Sequence, residues 1–387
     1  MGRGMEENGP GMASNTYRCW VEVSTGQIVE NCAAIRDLVG PGVGVMPVVK
    51  ADAYHHGAVA VSRALEAAGA GWLAVSNVEE GVSLRSAGVG CSILVMGGFF
   101  SCEREALAGQ RLTPLVHSMA QLRDYDRFSG ARGEALPVHL DVDSGMGRLG
   151  TNESVEDVVE GVRGLRHARL EGLTTHLASA GDYTSPQTDE QVARFGVVRQ
   201  ALRAAGVEPR WVHLSSSVPV THARREAWGN LVRPGLAVYG YPGICKGDSP
   251  ACAVAVKTAL SWKARILEVK DLPAGQSVGY NALFRTARPT RMAVIAAGYA
   301  DGLPHALSNR GRVIAGGEWA PVIGAVSMDL AAIDVTGCPP LAPGDAVTVL
   351  GAEGALRQDA EDLARAAGSI AYTILCGIGQ RVKHVYL

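Results

Sequence analysis

The stretch PVVKADAYHHG (residues 47–57) decides how the fold is read. Val48 and Val49 look like the tail of a covered strand, because β-branched residues in a short apolar run suit a pleated, buried surface better than a helix. Lys50 then falls at that strand's carboxyl end, followed at once by small, acidic and aromatic residues. Taken alone, such a lysine could equally reach to the rim with its ammonium in water. The rest of the chain decides between the two.

From residue 45 onward the chain repeats short apolar runs separated by amphipathic stretches. Eight runs stand out: VMPVVKA, GWLAVSN, SILVMGG, LTPLVHS, PVHLDVDSG, LEGLTTHLA, WVHLSSS and VRPGLAVYG. Between several of them lie AVAVSRALEAAG, VEEGVSLRSAG, MAQLRDYDRF and QVARFGVVRQALRAAG, with the apolar spacing of helices that cover a sheet. Strand alternating with helix implies a parallel sheet with right-handed crossovers. Eight such units predict an α/β fold, a closed (β/α)8 barrel of the TIM type. No G-x-G-x-x-G turn follows the first strand, which counts against an open dinucleotide-binding sheet.

In such a barrel, polar residues at the strands' carboxyl ends converge on one mouth. Lys50, Asp143 with Arg148, His176, His213 with Ser216 and Ser217, and Arg233 all directly follow their apolar runs. The last two ends read SSS and RPG, where a barrel commonly holds phosphate. Ser217 can donate a hydroxyl, and Gly235 lets its own N–H and that of Leu236 approach an anion. A serine run in a loop is also ordinary turn chemistry.

Composition excludes several classes. The chain has 387 residues, 36 basic and 38 acidic, for a formal net charge of −2. That balance marks neither a nucleic-acid binder nor a membrane-surface binder, so a small-molecule site is the default. The eight cysteines are scattered without a C-x-x-C pair, as suits free thiols in a reducing cytosol. The opening MGRGMEENGPGMASNTYR has no apolar core, and no later run suggests a membrane span. The expectation is therefore a cytoplasmic protein with no membrane partner.

After Gly240 the texture changes. YPGICKGDSPAC reads as a linker, and the runs beyond it (ALSWKARILEV, QSVGYNALFRT, RMAVIAAGYADG, GRVIAGGEWAPVIGA, DAVTVLG) are strand-like, with few helices between them. The expected organisation is a mobile tail at 1–16, a cofactor-binding barrel at 17–240, a linker at 241–258, and a smaller, mainly β domain at 259–387. In the second domain AAGYADG places Tyr299 at a strand end, and AVSMDLAAIDV places Met328 and Asp329 on another strand.

A barrel with one lysine and a phosphate cradle suggests pyridoxal 5'-phosphate, which needs an amine for a Schiff base, a phosphate anchor and a partner for its ring nitrogen. Lys50, Ser217 with the RPG backbone, and Arg233 could supply these in turn. PVVKADAYHHG, DSGMGRLG, TTHLAS, VRPGLAVYG, GYADG and VSMD, in this order and roughly this spacing, closely resemble the alanine racemase family. The resemblance runs from about Tyr17 to the C-terminus.

That resemblance implies an isomerase that racemises alanine, by two-base proton transfer through a substrate aldimine, for D-alanine biosynthesis and the cell wall. It implies Lys50 as the cofactor lysine and Tyr299 as the opposing base. Tyr54, Ser217, Gly235, Leu236 and Tyr372 would contact the phosphate, His176 would lie against the ring, and Arg233 would face its nitrogen. Arg148 would lie near the cofactor's phenolic oxygen and the substrate carboxylate, with the Met328 main chain also close to that carboxylate. No metal is implied, and two chains would pair head to tail with shared sites.

A free tyrosine has a pKa of about 10, so a phenolate needs cationic help, for which His176 and Arg233 are the candidates. A ring nitrogen facing the permanently protonated Arg233 should stay unprotonated. Four departures from the family pattern bear on the site. Asp141 stands where many members carry a lysine that can be carbamylated, and it could hold Arg148 by a charge-assisted hydrogen bond. Ser327 replaces a usual cysteine, Ser216 a common asparagine, and His55 a usual glycine. Serine or broad-specificity racemisation, a barrel-type decarboxylase and a non-enzymatic cofactor-binding protein are the alternatives.

Overall fold

The computed structural model describes residues 17–387, so the expected tail at 1–16 lies outside the described residues. The chain forms two compact units, one of residues 25–259 and one that joins residues 260–387 to the strand β1 (Cys19–Val23).

The first unit is the barrel. Its strands are β2 (Gly44–Val45), β3 (Trp72–Val75), β4 (Ser92–Val95), β5 (Thr113–Val116), β6 (Pro137–Asp141), β7 (Arg169–Thr174), β8 (Trp211–His213) and β9 (Leu231–Val232). Strands β3 to β8 form one parallel sheet in sequence order, and β2 pairs in parallel with β9. A parallel bridge between Val48 and Ala74 joins β2 to β3. Hydrogen bonds from Asn230 N to Val212 O (3.0 Å) and from Arg233 N to Ser215 O (2.9 Å) join β8 to β9.

Helices alternate with these strands because their apolar faces and their ends are both encoded locally. The helix Met119–Arg132 buries Met119, Leu122 and Tyr125 on one stripe. Its Ser118 cap accepts the Gln121 N–H at 3.1 Å, and Gly133, with φ 69°, ends it in the left-handed region. Inside the barrel Leu73, Val75, Ile93, Val95, Leu140 and Leu173 are fully buried. Each contributes about 1.5–3 kcal/mol relative to exposure.

The second unit is mainly β. It contains β10 (Leu260–Leu272), the short pair β11 (Ser277–Val278) and β12 (Phe284–Arg285), β13 (Thr290–Ile295), β14 (Arg312–Ala315), β15 (Glu318–Ile323), β16 (Ala331–Asp334), β17 (Ala346–Glu353), β18 (Leu356–Gln358) and β19 (Lys383–Tyr386). The order β10-β13-β16-β15-β14-β17 returns to β10, which leaves those six strands without a free edge. Two short helices, Ala360–Ala367 and Ala371–Cys376, precede β19.

Three sequence expectations need correction. Residues 17–240 were expected in the barrel, but β1 pairs antiparallel with β10 and parallel with β19, with Val23 opposite Leu260. Of VRPGLAVYG only the first residue is strand, while Leu236–Tyr239 forms a 3-10 turn after the unusual backbone of Gly235 (φ −107°, ψ −90°). Met328 and Asp329 lie in a bend before β16 rather than on a strand. Among the described residues no helix is long and apolar enough to cross a membrane.

Candidate active site

Lys50 follows the Val48 bridge and opens a segment of uncommon backbone. Ala51, Asp52, Ala53, Tyr54 and His55 have φ of 51°, 53°, 55°, 53° and 62°, a left-handed turn built without glycine. Such residues persist only where their surroundings over-determine them. Here Ala51 N–H donates to Glu80 Oε1 (2.7 Å), Ala58 N–H to Asp52 Oδ1 (2.7 Å), and Gly57 N–H to Asp52 O (3.0 Å). The turn buries Tyr54, whose ring lies 4.9 Å from that of Tyr239.

Tyr54, Ser217, Gly235 and Leu236 are brought together. A Cβ on Gly235 would stand 2.4 Å from the Tyr54 hydroxyl, so a larger residue there would have to displace the Tyr54 ring. Ser217 Oγ accepts the N–H groups of Gly235 (3.0 Å) and Ala237 (3.1 Å). The Gly235 N–H expected to meet an anion is thus already used. With its lone pairs engaged, the Ser217 hydroxyl keeps its proton to donate. The Ser217 O–H, the Tyr54 O–H and the Leu236 N–H make a donor set that suits a phosphate.

Arg233, directly after β9, is buried and almost fully committed. Its NH1 donates to Thr174 Oγ1 (2.9 Å), His213 Nδ1 (2.6 Å) and His213 O (2.8 Å), and its NH2 to Thr175 O (3.0 Å) and Leu214 O (3.2 Å). Only the Nε–H is left to meet an acceptor. Burial lowers this guanidinium to about 10, while Asp141 acts to raise it, so it is cationic at neutral pH.

Because guanidinium only donates, His213 Nδ1 must accept, which puts the His213 proton on Nε2 and directs it to His139 Nδ1 at 2.8 Å. His139 and His213 are both fully buried. Sequence reading missed His139; two histidines within otherwise apolar strands were the available signal.

His176 lies two residues beyond β7, and burial together with the nearby cations Arg233, Arg148 and Lys50 depresses it to about 3. His176 is therefore neutral and is not the cationic help expected for a phenolate. Arg148 is exposed. Its loop is shaped by Asp143, whose Oδ1 accepts the N–H groups of Gly145 (3.0 Å), Met146 (2.8 Å) and Gly147 (3.1 Å). Burial raises Asp143, and these bonds outweigh it and hold the carboxyl below its ordinary range. The expected Asp141–Arg148 hydrogen bond does not form; Asp141 Oδ2 instead meets His117 Nδ1 at 3.1 Å.

In the β unit Tyr299, Met328 and Tyr372 are 47%, 54% and 43% exposed. Tyr299 opens a 3-10 turn, Tyr299–Asp301, four residues after β13. Its N–H donates to Ser327 O (2.9 Å) and that of Ala300 to Met328 O (2.9 Å), which brings the Tyr299 and Met328 segments together. Tyr372 lies on the helix Ala371–Cys376.

A (β/α)8 barrel with a lysine, an anion cradle and a buried arginine at its strands' carboxyl ends, joined to a β domain carrying a tyrosine loop, defines a narrow class of small-molecule enzyme. Family profiles narrow it further: residues 23–242 match the alanine racemase N-terminal domain and residues 259–386 the alanine racemase C-terminal domain. An alanine racemase of Synechocystis sp. is 37% identical over 374 residues, 96% of this chain and 99% of the relative. The alanine racemase structure from Streptomyces coelicolor superposes with a TM-score of 0.89 at 31% identity, covering 97% of this chain and 100% of that one. That from Bartonella henselae, with covalently bound pyridoxal phosphate, has a TM-score of 0.85 at 28% identity, covering 96% and 100%. The chain belongs to the alanine racemase family.

Proposed function

We propose that this chain interconverts L- and D-alanine with pyridoxal 5'-phosphate, using Lys50 and Tyr299 as its two acid/base groups. The enzyme is an isomerase. The observation that carries the reading is the cradle at the barrel's carboxyl end, where Ser217 Oγ holds the Gly235 and Ala237 N–H groups and the Tyr54 hydroxyl stands against Gly235. When bound, the cofactor draws electron density from the substrate α-carbon and acidifies its hydrogen.

The residues present fit that group. Lys50 would tether it through its amine, and Tyr54, Ser217 and Leu236 would hold its phosphate, with Gly235 giving the room and Tyr372 a further contact. His176 would lie against its ring as a neutral imidazole. Arg233, cationic at neutral pH, would face the ring nitrogen with a group that only donates, which would favour an unprotonated nitrogen and restrain side reactions. Arg148 and the Met328 main chain orient the substrate carboxylate. Lys50 Nζ and Tyr299 Oη hold or accept the proton on opposite faces of the α-carbon.

We further propose a cytoplasmic, head-to-tail homodimer in which Tyr299 serves the partner's barrel. The eight free thiols support the first point, and the exposed Tyr299, Met328, Ile370 and Tyr372 support the second.

Activity is tested by incubating the protein and pyridoxal phosphate with single L-amino acids, alanine and serine among them, in D2O. Chiral chromatography and α-deuteration should report D-alanine; a protein that exchanges no α-hydrogen overturns the reading. Sharing is tested by mixing Lys50→Ala with Tyr299→Phe chains after subunit exchange. Half the dimers are then hybrids with one intact site in two, so about a quarter of the activity returns. No recovery would mean that each site is built within one chain.

A further inference from the structure

We infer that Asp301 and Arg381 are the positioning pair that locks the Tyr299 loop onto the Met328 loop, an inference that rests on Tyr299 being a proton-transfer group. Neither residue reaches the reacting atoms in this reading; both act on the backbone that carries the phenol.

Three segments of the β unit meet at this pair. The first is Gly298–Gly302, which carries Tyr299. The second is Ser327–Asp329, which carries Met328. The third is Gly377–Arg381, which directly follows the helix bearing Tyr372. The Asp301 side chain is 4% exposed, and its Oδ2 accepts the Gly298 N–H at 2.9 Å. Arg381 grips the same carboxylate with a fork, Nε to Oδ1 at 2.7 Å and NH2 to Oδ2 at 3.0 Å. The same NH2 reaches Asp329 Oδ1 at 2.7 Å. One guanidinium thus ties together the turn that opens with Tyr299, the bend that holds Met328, and the turn after Tyr372.

The backbones interlock around it. Besides the two bonds from Tyr299 and Ala300 to the Ser327–Met328 carbonyls, Gly379 N–H donates to Asp301 O at 2.9 Å. A Cβ on Gly298 would meet Ser327 O and Met328 O at 2.4 Å, and one on Gly302 would meet Gly377 O at 2.3 Å. A Cβ on Gly379 would meet Ala300 O at 2.4 Å. Approach this close leaves the loops little slack, and the fork sets where they stop.

An exposed ion pair of the Arg381–Asp329 kind contributes little by itself. The Asp301 contact differs, because removing Arg381 leaves a buried carboxylate without its counter-charge, and the loop must move or the acid must protonate. Lysine would keep the charge but lose the planar two-pronged grip that spans both carboxylate oxygens.

The test compares Arg381→Gln, Arg381→Lys and Tyr299→Phe in the full chain. In cofactor-free Arg381→Gln, amide hydrogen exchange across 298–302 and 327–329 should quicken by about tenfold or more, with the β14–β15 hairpin unchanged. In the holoenzyme its kcat should fall about 10- to 100-fold, the loss expected of a misplaced group. The α-deuterium isotope effect should rise for the alanine enantiomer whose hydrogen Tyr299 removes and not for its mirror image. Arg381→Lys, which keeps the charge and guards against a folding failure, should fall between wild type and Arg381→Gln on both measures.

Unchanged exchange in Arg381→Gln, or an isotope effect that changes equally for both enantiomers, overturns the inference. If Tyr299→Phe still exchanges the α-hydrogen of both alanine enantiomers at the wild-type rate in D2O, the assignment of Tyr299 fails, and the amide-exchange data still report separately on the clamp.

Discussion

The left-handed turn after Lys50 allows a sharp test on one methyl group. Ala51 has φ 51° and is exposed, so Ala51→Gly removes backbone strain without taking a side chain out of the core. An L-residue in this region costs roughly 1–2 kcal/mol, and glycine gives back about 0.5–1 kcal/mol of that through the freedom it loses on folding. The Ala51 N–H bond to Glu80 is kept, because it belongs to the backbone. The net expectation is a stabilisation of about 0.5–1 kcal/mol.

Two controls bracket it. Ala193 is exposed within the right-handed helix Gln187–Ala204, where Ala193→Gly should cost about 1 kcal/mol. Ala53 shares the left-handed turn but is fully buried, so the lost methyl, about 0.8 kcal/mol, should cancel most of the gain. Thermal melting of the cofactor-free chain reads these as a rise of about 1–4 °C, a fall of about 2–4 °C and little change, respectively. If Ala51→Gly melts lower, as Ala193→Gly does, the turn is not strained and the reasoning fails. The same substitution should lower racemisation, since rigidity at Lys50 and Tyr54 is what the strain secures.

Gly235→Ala puts a methyl into the Tyr54 hydroxyl, so the affinity for pyridoxal phosphate should fall by about tenfold or more, measured by titrating the cofactor-free protein; a tight, unaltered titration would remove Tyr54 from the cradle. His139, His176 and His213 are all held below their ordinary range by burial first and then by Arg233. The unfolded chain protonates them near pH 6.5, whereas His139 and His176 in the native chain wait until about 3. Native stability should be complete above about pH 6.5 and drain away as pH falls from there toward 3, a slope that His176→Asn should flatten in urea titrations. Aspartate cannot be carbamylated, so with Asp141 in the usual lysine's place, stripping bicarbonate from the assay should leave the rate unchanged.

The barrel was legible because its signal is repeated and local: each apolar run is short, and each strand-end residue such as Lys50, His176 or Arg233 follows its own run. What stayed hidden depends on partners far along the chain. Nothing in CWVEV says that it will pair with residues beyond 259, and nothing in ADAYH, which lacks glycine, advertises a left-handed turn. Asp141 was read as a partner for Arg148, and only folding brings His117, 24 residues earlier, within its reach. Arg381 and Asp301 are 80 residues apart, and each looks like an ordinary surface charge when read alone. His139 was passed over for the same reason, since a histidine in an apolar strand gains meaning only once His213 and Arg233 fix its proton.

The pairing of β1 with β10 and β19 has a consequence for how the protein is made. The first strand leaves the ribosome early, yet β10 begins at Leu260 and β19 ends at Tyr386, so β1 waits through most of translation for both neighbours. At ordinary elongation rates that delay is roughly 20–70 s, ample time for residues 25–259 to close into a barrel first. During it a five-residue ribbon bearing Cys19, Trp20, Val21 and Val23 has no sheet to join. Nascent chains stalled before Leu260 should therefore carry a finished barrel and an unpaired β1, and chaperone dependence should concentrate on that strand.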